Sequence, residues 1–268
     1  MGARGALGSV LVEHFRLGGF DVDAFSSRSE DPALRIDVLK DDPTDCVRDL
    51  DSVVYCAWST NDRSVEAQRA HVEAASRWAE ASESCGTQFI FTGTVLAAAV
   101  SQSQYAVHKY LAEQRIVRFG GVSLRIGLLA DDAYPFLVTQ LRRTVRQFGP
   151  AASLLGWPVL PISSMAVASA IHAEIECGSA GASVWLAPRQ ATLLSDIASW
   201  GTGRRPGRTC GRSIVSAFAQ LPIRSGAIGK QLDALAGLVA APRSGLECRD
   251  PENGPIAHDD WQRALLPA

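Results

Sequence analysis

The fold class this sequence predicts is α/β, a doubly wound parallel sheet with helices on both faces, and three observations predict it. Residues 52–58 (SVVYCAW), 88–92 (QFIFT) and 121–126 (GVSLRI) are short apolar runs with little alternation, as in strands covered on both sides. Stretches of helical periodicity, 63–84 and 103–118, separate them. At the start of the chain, Gly2-Ala3-Arg4-Gly5-Ala6-Leu7-Gly8 leads straight into an apolar-periodic helix at 9–18.

Each element follows in order. Glycines three apart suit a tight turn, a close approach of bare backbone to a pyrophosphate, and close packing of a helix on a sheet. A turn of this kind normally follows a buried strand, yet only Met1 precedes Gly2. A sheet without its central strand would leave the backbone groups of two neighbours unpaired, which is costly. The expectation is therefore a truncated or misassigned start. Residues 20–25 alternate apolar and polar and read as a strand, with a polar loop at 26–29 and a short helix near 44–50. Beyond residue 128 the pattern changes: a helix at 135–147, a Pro- and Gly-rich loop at 149–161, a helix at 165–175, a strand at 182–186 and a helix at 193–200. A basic loop at 201–212, a mixed apolar stretch at 213–240 and a loop-like tail from 241 complete the chain. The division expected is a dinucleotide-binding core at 1–128 and a smaller substrate-binding region at 129–268, with 158–186 partly returning to the core.

Composition narrows the function. The 268 residues are 47% apolar and 20% charged, enough for a sizeable core. A net charge of −2 with no strongly basic half argues against nucleic acid as a partner. Six cysteines, at 46, 56, 85, 177, 210 and 248, form no CxxC pair, so reduced thiols in a cytoplasmic protein are expected, with neither a disulfide frame nor a metal site. No spanning apolar run argues for a membrane.

The chemistry-bearing pattern is Tyr105-Ala106-Val107-His108-Lys109. A spacing of four places phenol and ammonium on one face of a helix, one turn apart. With three lysines (Lys40, Lys109, Lys230) and four tyrosines in the chain, the spacing arises by chance in roughly one such chain in twenty. A neighbouring cation favours the phenolate and fits the phenol for acid–base work near neutrality. The bland alternative is a solvated lysine on a helix face. Thr94 ends the strand before that helix, where a hydroxyl can orient a substrate oxygen or merely cap a loop.

On these residues the chain resembles the extended short-chain dehydrogenase/reductases, the NAD-dependent epimerase/dehydratases. The resemblance rests on GARGALG at 2–8, Asp37-Val38, VVYCAW at 53–58, FIFTGT at 89–94, YAVHK at 105–109 with Ala112-Glu113, and LRIGLL at 124–129. A looser match runs through PVLPISSMAVASAI at 158–171. The resemblance implies a Rossmann-like core and an NAD(P)-dependent oxidoreductase or epimerase/dehydratase acting on a carbonyl or hydroxyl carbon, with a nucleotide sugar as one substrate class. It implies Tyr105 as catalytic acid/base, Lys109 as the residue that lowers the tyrosine pKa and holds the nicotinamide ribose, and Thr94 where the family usually carries Ser. Gly2, Gly5 and Gly8, with Leu7 among them, would bracket the pyrophosphate. Asp37 and Val38 would touch adenine, and Ala57 would lie along the cofactor. Ser26, followed by Ser27 and Arg28, stands where NAD users carry an acid; Ser and Arg accept a 2′-phosphate that an acid repels, so NADP is favoured over NAD, with Arg4 assisting. A helix Asn common in the family is absent, Ser64 standing near its place. Arg142 with Arg146, and Arg204, Arg205 and Arg208, could face a diphosphate or be solvated. The resemblance also implies a homodimer. The alternative function is a non-catalytic dinucleotide-binding module or truncated degenerate paralogue.

Overall fold

The computed structural model describes residues 1–59, 62, 64–97, 99, 103–129, 158–159, 161–186, 192–193, 247–250 and 254–256. Its first helix, α1 (Ala6–Leu17), starts inside the glycine turn, three residues earlier than the periodicity suggests, and buries Leu11 and Phe15. A 3-10 turn (Pro32–Leu34) and α2 (Thr44–Val47) lead to β1 (Ser52–Tyr55). Helix α3 (Val65–Cys85) begins at Ser64, whose hydroxyl accepts from the amide of Ala67, and ends at Gly86 in the left-handed region (φ 74°). Ser64 is thus a helix cap, the ordinary role of a serine at that place.

β2 (Gln88–Thr94), α4 (Gln104–Arg118) and β3 (Val122–Ile126) follow, then β4 (Leu128–Leu129), β5 (Pro158–Val159), β6 (Pro161–Ile162), α5 (Ser164–Cys177), β7 (Ser183–Leu186), β8 (Thr192–Leu193), β9 (Glu247–Asp250) and β10 (Gly254–Ile256). The main sheet has the order β1-β2-β3-β7-β9-β10, parallel except for β10, which pairs antiparallel with β9. Its two faces carry separate cores. Phe89 and Phe91 of β2 join Val53, Tyr55, Trp78 and Ile116 on one face, against α3 and α4. Ile90 of the same strand joins Leu11, Phe15, Leu124, Ile171 and Val184 on the other, against α1 and α5. Alternate side chains of one strand feeding two apolar layers explains why these runs show little apolar–polar alternation. Helix α4 and strand β3 are also tied by a buried ion pair: both carboxylate oxygens of Glu113 accept from the Arg125 guanidinium, and one accepts from the Ser123 hydroxyl as well.

Three expectations are corrected. Residues 20–25 form no strand, although Phe25 accepts the amide of Ala3 at 3.1 Å. Alternation supplies the faces of a strand, but a ladder needs a continuous partner, and only Met1–Ala3 lies alongside. Thr192–Leu193 pairs with Pro158–Val159, so the helix expected from residue 193 does not begin there. The tail, expected as loop, contributes β9 and β10, because the open edge of β7 offers it a ladder. The helix at 135–147, the stretch 201–240 and all five arginines from Arg142 to Arg208 named above lie outside the described residues.

Candidate functional site

The C-terminal ends of β1 and β2 and the first turns of α4 build one half of the site. Ser103 caps α4 by accepting from the amide of Ala106, which fixes the helix start just before Tyr105. One turn on, Lys109 is 3% exposed, and its Nζ donates to the carbonyl oxygen of Thr92 at 2.8 Å. The ammonium also lies 4.3 Å from the ring centres of both Trp58 and Phe91, and 6.0 Å from that of Tyr105. Two aromatic faces and one carbonyl are what holds a cation out of water here; a desolvated cation–π contact is worth up to about 2 kcal/mol. They offset burial only in part, and burial lowers the Lys109 pKa to about 7.

Trp58 organises the surroundings. Its ring stands edge-on to Tyr105 at 6.4 Å and stacks on His71 at 5.2 Å. Its Nε1 donates to the amide oxygen of Gln68 at 2.9 Å, and the Gln68 amide nitrogen donates to the carbonyls of Ser59 and Asp62. His71 Nε2 accepts from the Ser59 amide, which assigns the ring proton to Nδ1. Desolvation lowers the His71 pKa, followed by repulsion from Lys109, so the ring stays neutral. Sequence reasoning passed over Trp58, Gln68 and His71. The signal available was a pair of polar residues three apart on the buried face of α3, opposite a tryptophan that ends an apolar strand.

Thr94 is buried at the end of β2, two residues beyond the carbonyl that takes Lys109, and its hydroxyl accepts the Leu96 amide at 3.3 Å. Cys56 is flanked by both halves of the site: its amide donates to the Met1 carbonyl, and burial pushes its thiol pKa up.

The opening turn builds the other half. Gly2 has φ 78°, and a side chain there would meet the backbone of Cys56 and Ala57 at 3.0–3.1 Å. A Cβ on Gly8 would lie 2.2 Å from the Gly2 carbonyl oxygen. Gly5 is the N-cap of α1 and offers no side-chain bond, and the first turn carries no acid. The first amide with a helix acceptor is that of Ser9, to Gly5, so the amides of Ala6, Leu7 and Gly8 stand at the positive end of a 12-residue helix without one. This cradle fits a pyrophosphate.

The neighbouring loops are placed as follows. Ser26 is buried and its hydroxyl accepts the Arg28 amide at 3.2 Å, while Ser27 and Arg28 are exposed. Arg4 pairs with Glu30 at 3.5 Å on the surface. Asp37 accepts from the Leu39 amide and pairs with Lys40. The Val38 carbonyl accepts from Trp78 Nε1, which pins that loop to α3. The structure therefore brings Tyr105 and Lys109 together with Trp58, and Gly2 against Ala57. It leaves Arg4 engaged with Glu30. Among the described residues no cluster of three or more His, Cys, Asp or Glu could hold a metal ion, and no helix is long and apolar enough to cross a membrane.

Solved structures share this architecture. The chain is similar to a nucleoside-diphosphate-sugar epimerase from Staphylococcus aureus (15% identity, 97% of each chain, TM-score 0.66). It is similar over 98% of each chain to the triphenylmethane reductase of Citrobacter sp., solved with NADP(H) (15% identity, TM-score 0.65). It is also similar to the UDP-N-acetylglucosamine 4-epimerase of Bacillus cereus (12% identity, 72% of this chain and 76% of the other, TM-score 0.59). The fold is thus the Rossmann-like fold on which these epimerases and reductases are built. No protein-family model and no curated protein matches the sequence.

Proposed function

We propose that this chain is an NADP(H)-linked oxidoreductase or epimerase/dehydratase of the extended short-chain dehydrogenase/reductase type, acting on a carbonyl or hydroxyl carbon. The observation that carries the reading is the buried Lys109 ammonium one helical turn from Tyr105, at the same sheet edge as an uncapped glycine turn. Bound at that turn, the dinucleotide supplies hydride exchange. The chain's own residues do the rest. The amides of Ala6, Leu7 and Gly8 receive the pyrophosphate, and Ala57 lies beside it. Ser26, Ser27 and Arg28 receive a 2′-phosphate. Tyr105 exchanges a proton with the substrate oxygen, and Thr94 orients that oxygen. Lys109 favours the phenolate through its charge and has N–H groups beyond the one given to Thr92 with which to hold a ribose. Residues 129–268 supply the substrate side, for which a nucleotide sugar is the class the similar epimerases suggest.

A second reading, dinucleotide binding without turnover, is favoured by one feature: Trp58 and Phe91 close over the Lys109 ammonium. Fluorescence titration with NADPH followed by turnover assays on carbonyl compounds and nucleotide sugars separates the two. For the enzyme, Tyr105→Phe lowers kcat by about 10²–10⁴-fold and leaves the NADPH Kd within about threefold. Binding with no turnover in the parent chain favours the module, and retained turnover in the variant ends Tyr105's assignment.

A further inference from the structure

The Lys109 ammonium carries three hydrogens and gives one to the Thr92 carbonyl at 2.8 Å. Beside the other two stand ring faces, those of Trp58 and Phe91, each centred 4.3 Å from Nζ. A hydroxyl that reached Nζ would make a charge-assisted hydrogen bond, the stronger kind. It can do so only where one of the rings gives way.

The two rings differ in their freedom to move. Phe91 belongs to β2, is fully buried, and packs in the core with Tyr55 and Trp78. Displacing it would disrupt a close-packed layer. Trp58 lies three residues beyond β1 and is half-buried. Three contacts keep its ring in place: the bond from Nε1 to Gln68 at 2.9 Å, the stack on His71 at 5.2 Å, and an edge contact with Phe91 at 5.9 Å. Gln68 is fully buried and its amide nitrogen is committed to the carbonyls of Ser59 and Asp62, so its oxygen is held toward the indole. His71 is 7% exposed, and its Nδ1 has no hydrogen-bond partner. A buried donor without an acceptor is unfavourable, so the cluster is latched but not fully satisfied. Rotation of Trp58 about its own side-chain bonds would uncover the ammonium and vacate the space on the stacked face of His71, with β2 and α4 unmoved.

We infer that Trp58 is a gate over Lys109, latched by Gln68 and His71, and that a ligand hydroxyl reaches the ammonium only when the indole swings off it. The inference rests on the reading of Lys109 as the group that holds a ribose. The apparent affinity of any ligand that uses Lys109 is then reduced by the fraction of chains whose gate is open.

The first measurement needs no cofactor. The chain has three lysines, so reductive methylation with formaldehyde followed by peptide mass spectrometry reads Lys109 against Lys40, whose side chain is 81% exposed. In the wild-type chain Lys109 should react at least roughly tenfold more slowly than Lys40, because reagent enters only through the open fraction. Trp58→Ala should speed Lys109 by about tenfold or more and leave Lys40 unchanged, while Trp58→Phe, which keeps a ring but loses the bond to Gln68, should speed it by about two- to fivefold. An unchanged Lys109 rate in Trp58→Ala overturns the gate, whether or not a dinucleotide binds. If alanine at 58 prevents folding, the phenylalanine chain decides in its place, and an unchanged rate there overturns the latch and the gate with it. The second measurement is titration with NADPH, followed by the cofactor's own fluorescence. Removing the gate in Trp58→Ala should lower the NADPH Kd by roughly tenfold. Affinity equal to or weaker than that of the wild-type chain overturns the gate. Failure of both chains to bind NADPH sinks the dinucleotide reading instead, and the methylation rates then decide the gate alone.

Discussion

The two halves of the candidate site are built to different standards. Around Lys109 every support is a completed element: β2 is paired on both sides, α4 is capped, and the Glu113–Arg125 pair locks helix to strand. Around the glycine turn, Met1–Ala3 is held between its neighbours by three backbone bonds, to Val54 of β1, from Cys56 just beyond it, and to Phe25. The Lys109 half can therefore be rigid while the glycine-turn half depends on how well Met1–Ala3 is anchored. Rigidity at one end of a sheet does not transmit to a segment that shares so few bonds with it.

The sharpest way to break this contrast is Glu113→Ala. It leaves the Arg125 guanidinium, 3% exposed, without its carboxylate, and should cost about 3–5 kcal/mol in urea denaturation. A loss below 1 kcal/mol would mean that the supposedly rigid half is not set by that pair. Next is pH. The unfolded Lys109 titrates near its ordinary 10.5 and the folded one near 7, so between these values the unfolded chain binds a proton that the folded chain does not. Stability must then fall as pH drops from about 10 to 7, by up to a few kcal/mol at ~1.4 kcal/mol per unit, and this contribution levels off below. Lys109→Met should flatten that slope. A remaining slope of the same sign just below pH 8 belongs to the Met1 amino group, whose pKa is also lowered, and one below 6.5 includes His71, whose pKa burial lowers as well.

Gly8→Ala probes the other half directly. Its Cβ would fall 2.2 Å from a backbone oxygen, so the turn must shift. The expected loss is at least tenfold in NADPH affinity with a Tm drop of only a few degrees, since an overpacked site costs about 1–3 kcal/mol. A wild-type Kd would show that the turn does not carry the pyrophosphate. Smallest is Arg28→Ala, at an exposed loop: the ratio of NADPH to NADH affinity should fall about tenfold with no change in Tm. An unchanged ratio would remove Arg28 from the 2′-phosphate site.

Much of the fold is legible in the sequence. The runs at 52–58, 88–92 and 121–126 read as doubly covered strands because alternate side chains feed two apolar layers, and the sheet has that form. The tail was not legible, because β9 and β10 form on an edge that β7 supplies from far away in sequence. Residues 20–25 failed in the opposite sense: their pattern suits a strand, but pairing is a property of the neighbour. Within the site, the Tyr105 and Lys109 spacing pointed to one helix face. Trp58, Gln68 and His71 went unseen because their contact joins a strand end to a helix across a loop, a relation no local period encodes.

What the sequence determined alone is local: the glycine positions that only a bare backbone can fill, the apolar periods that choose strand or helix, and the one-turn spacing of phenol and ammonium. Tertiary structure decided what each group meets. It put Lys109 between two rings, moved its proton affinity toward neutrality, and set Gly2 against the backbone of Cys56 and Ala57. Burial and pairing depend on segments distant along the chain, and for that reason they appear only when the sheet is assembled.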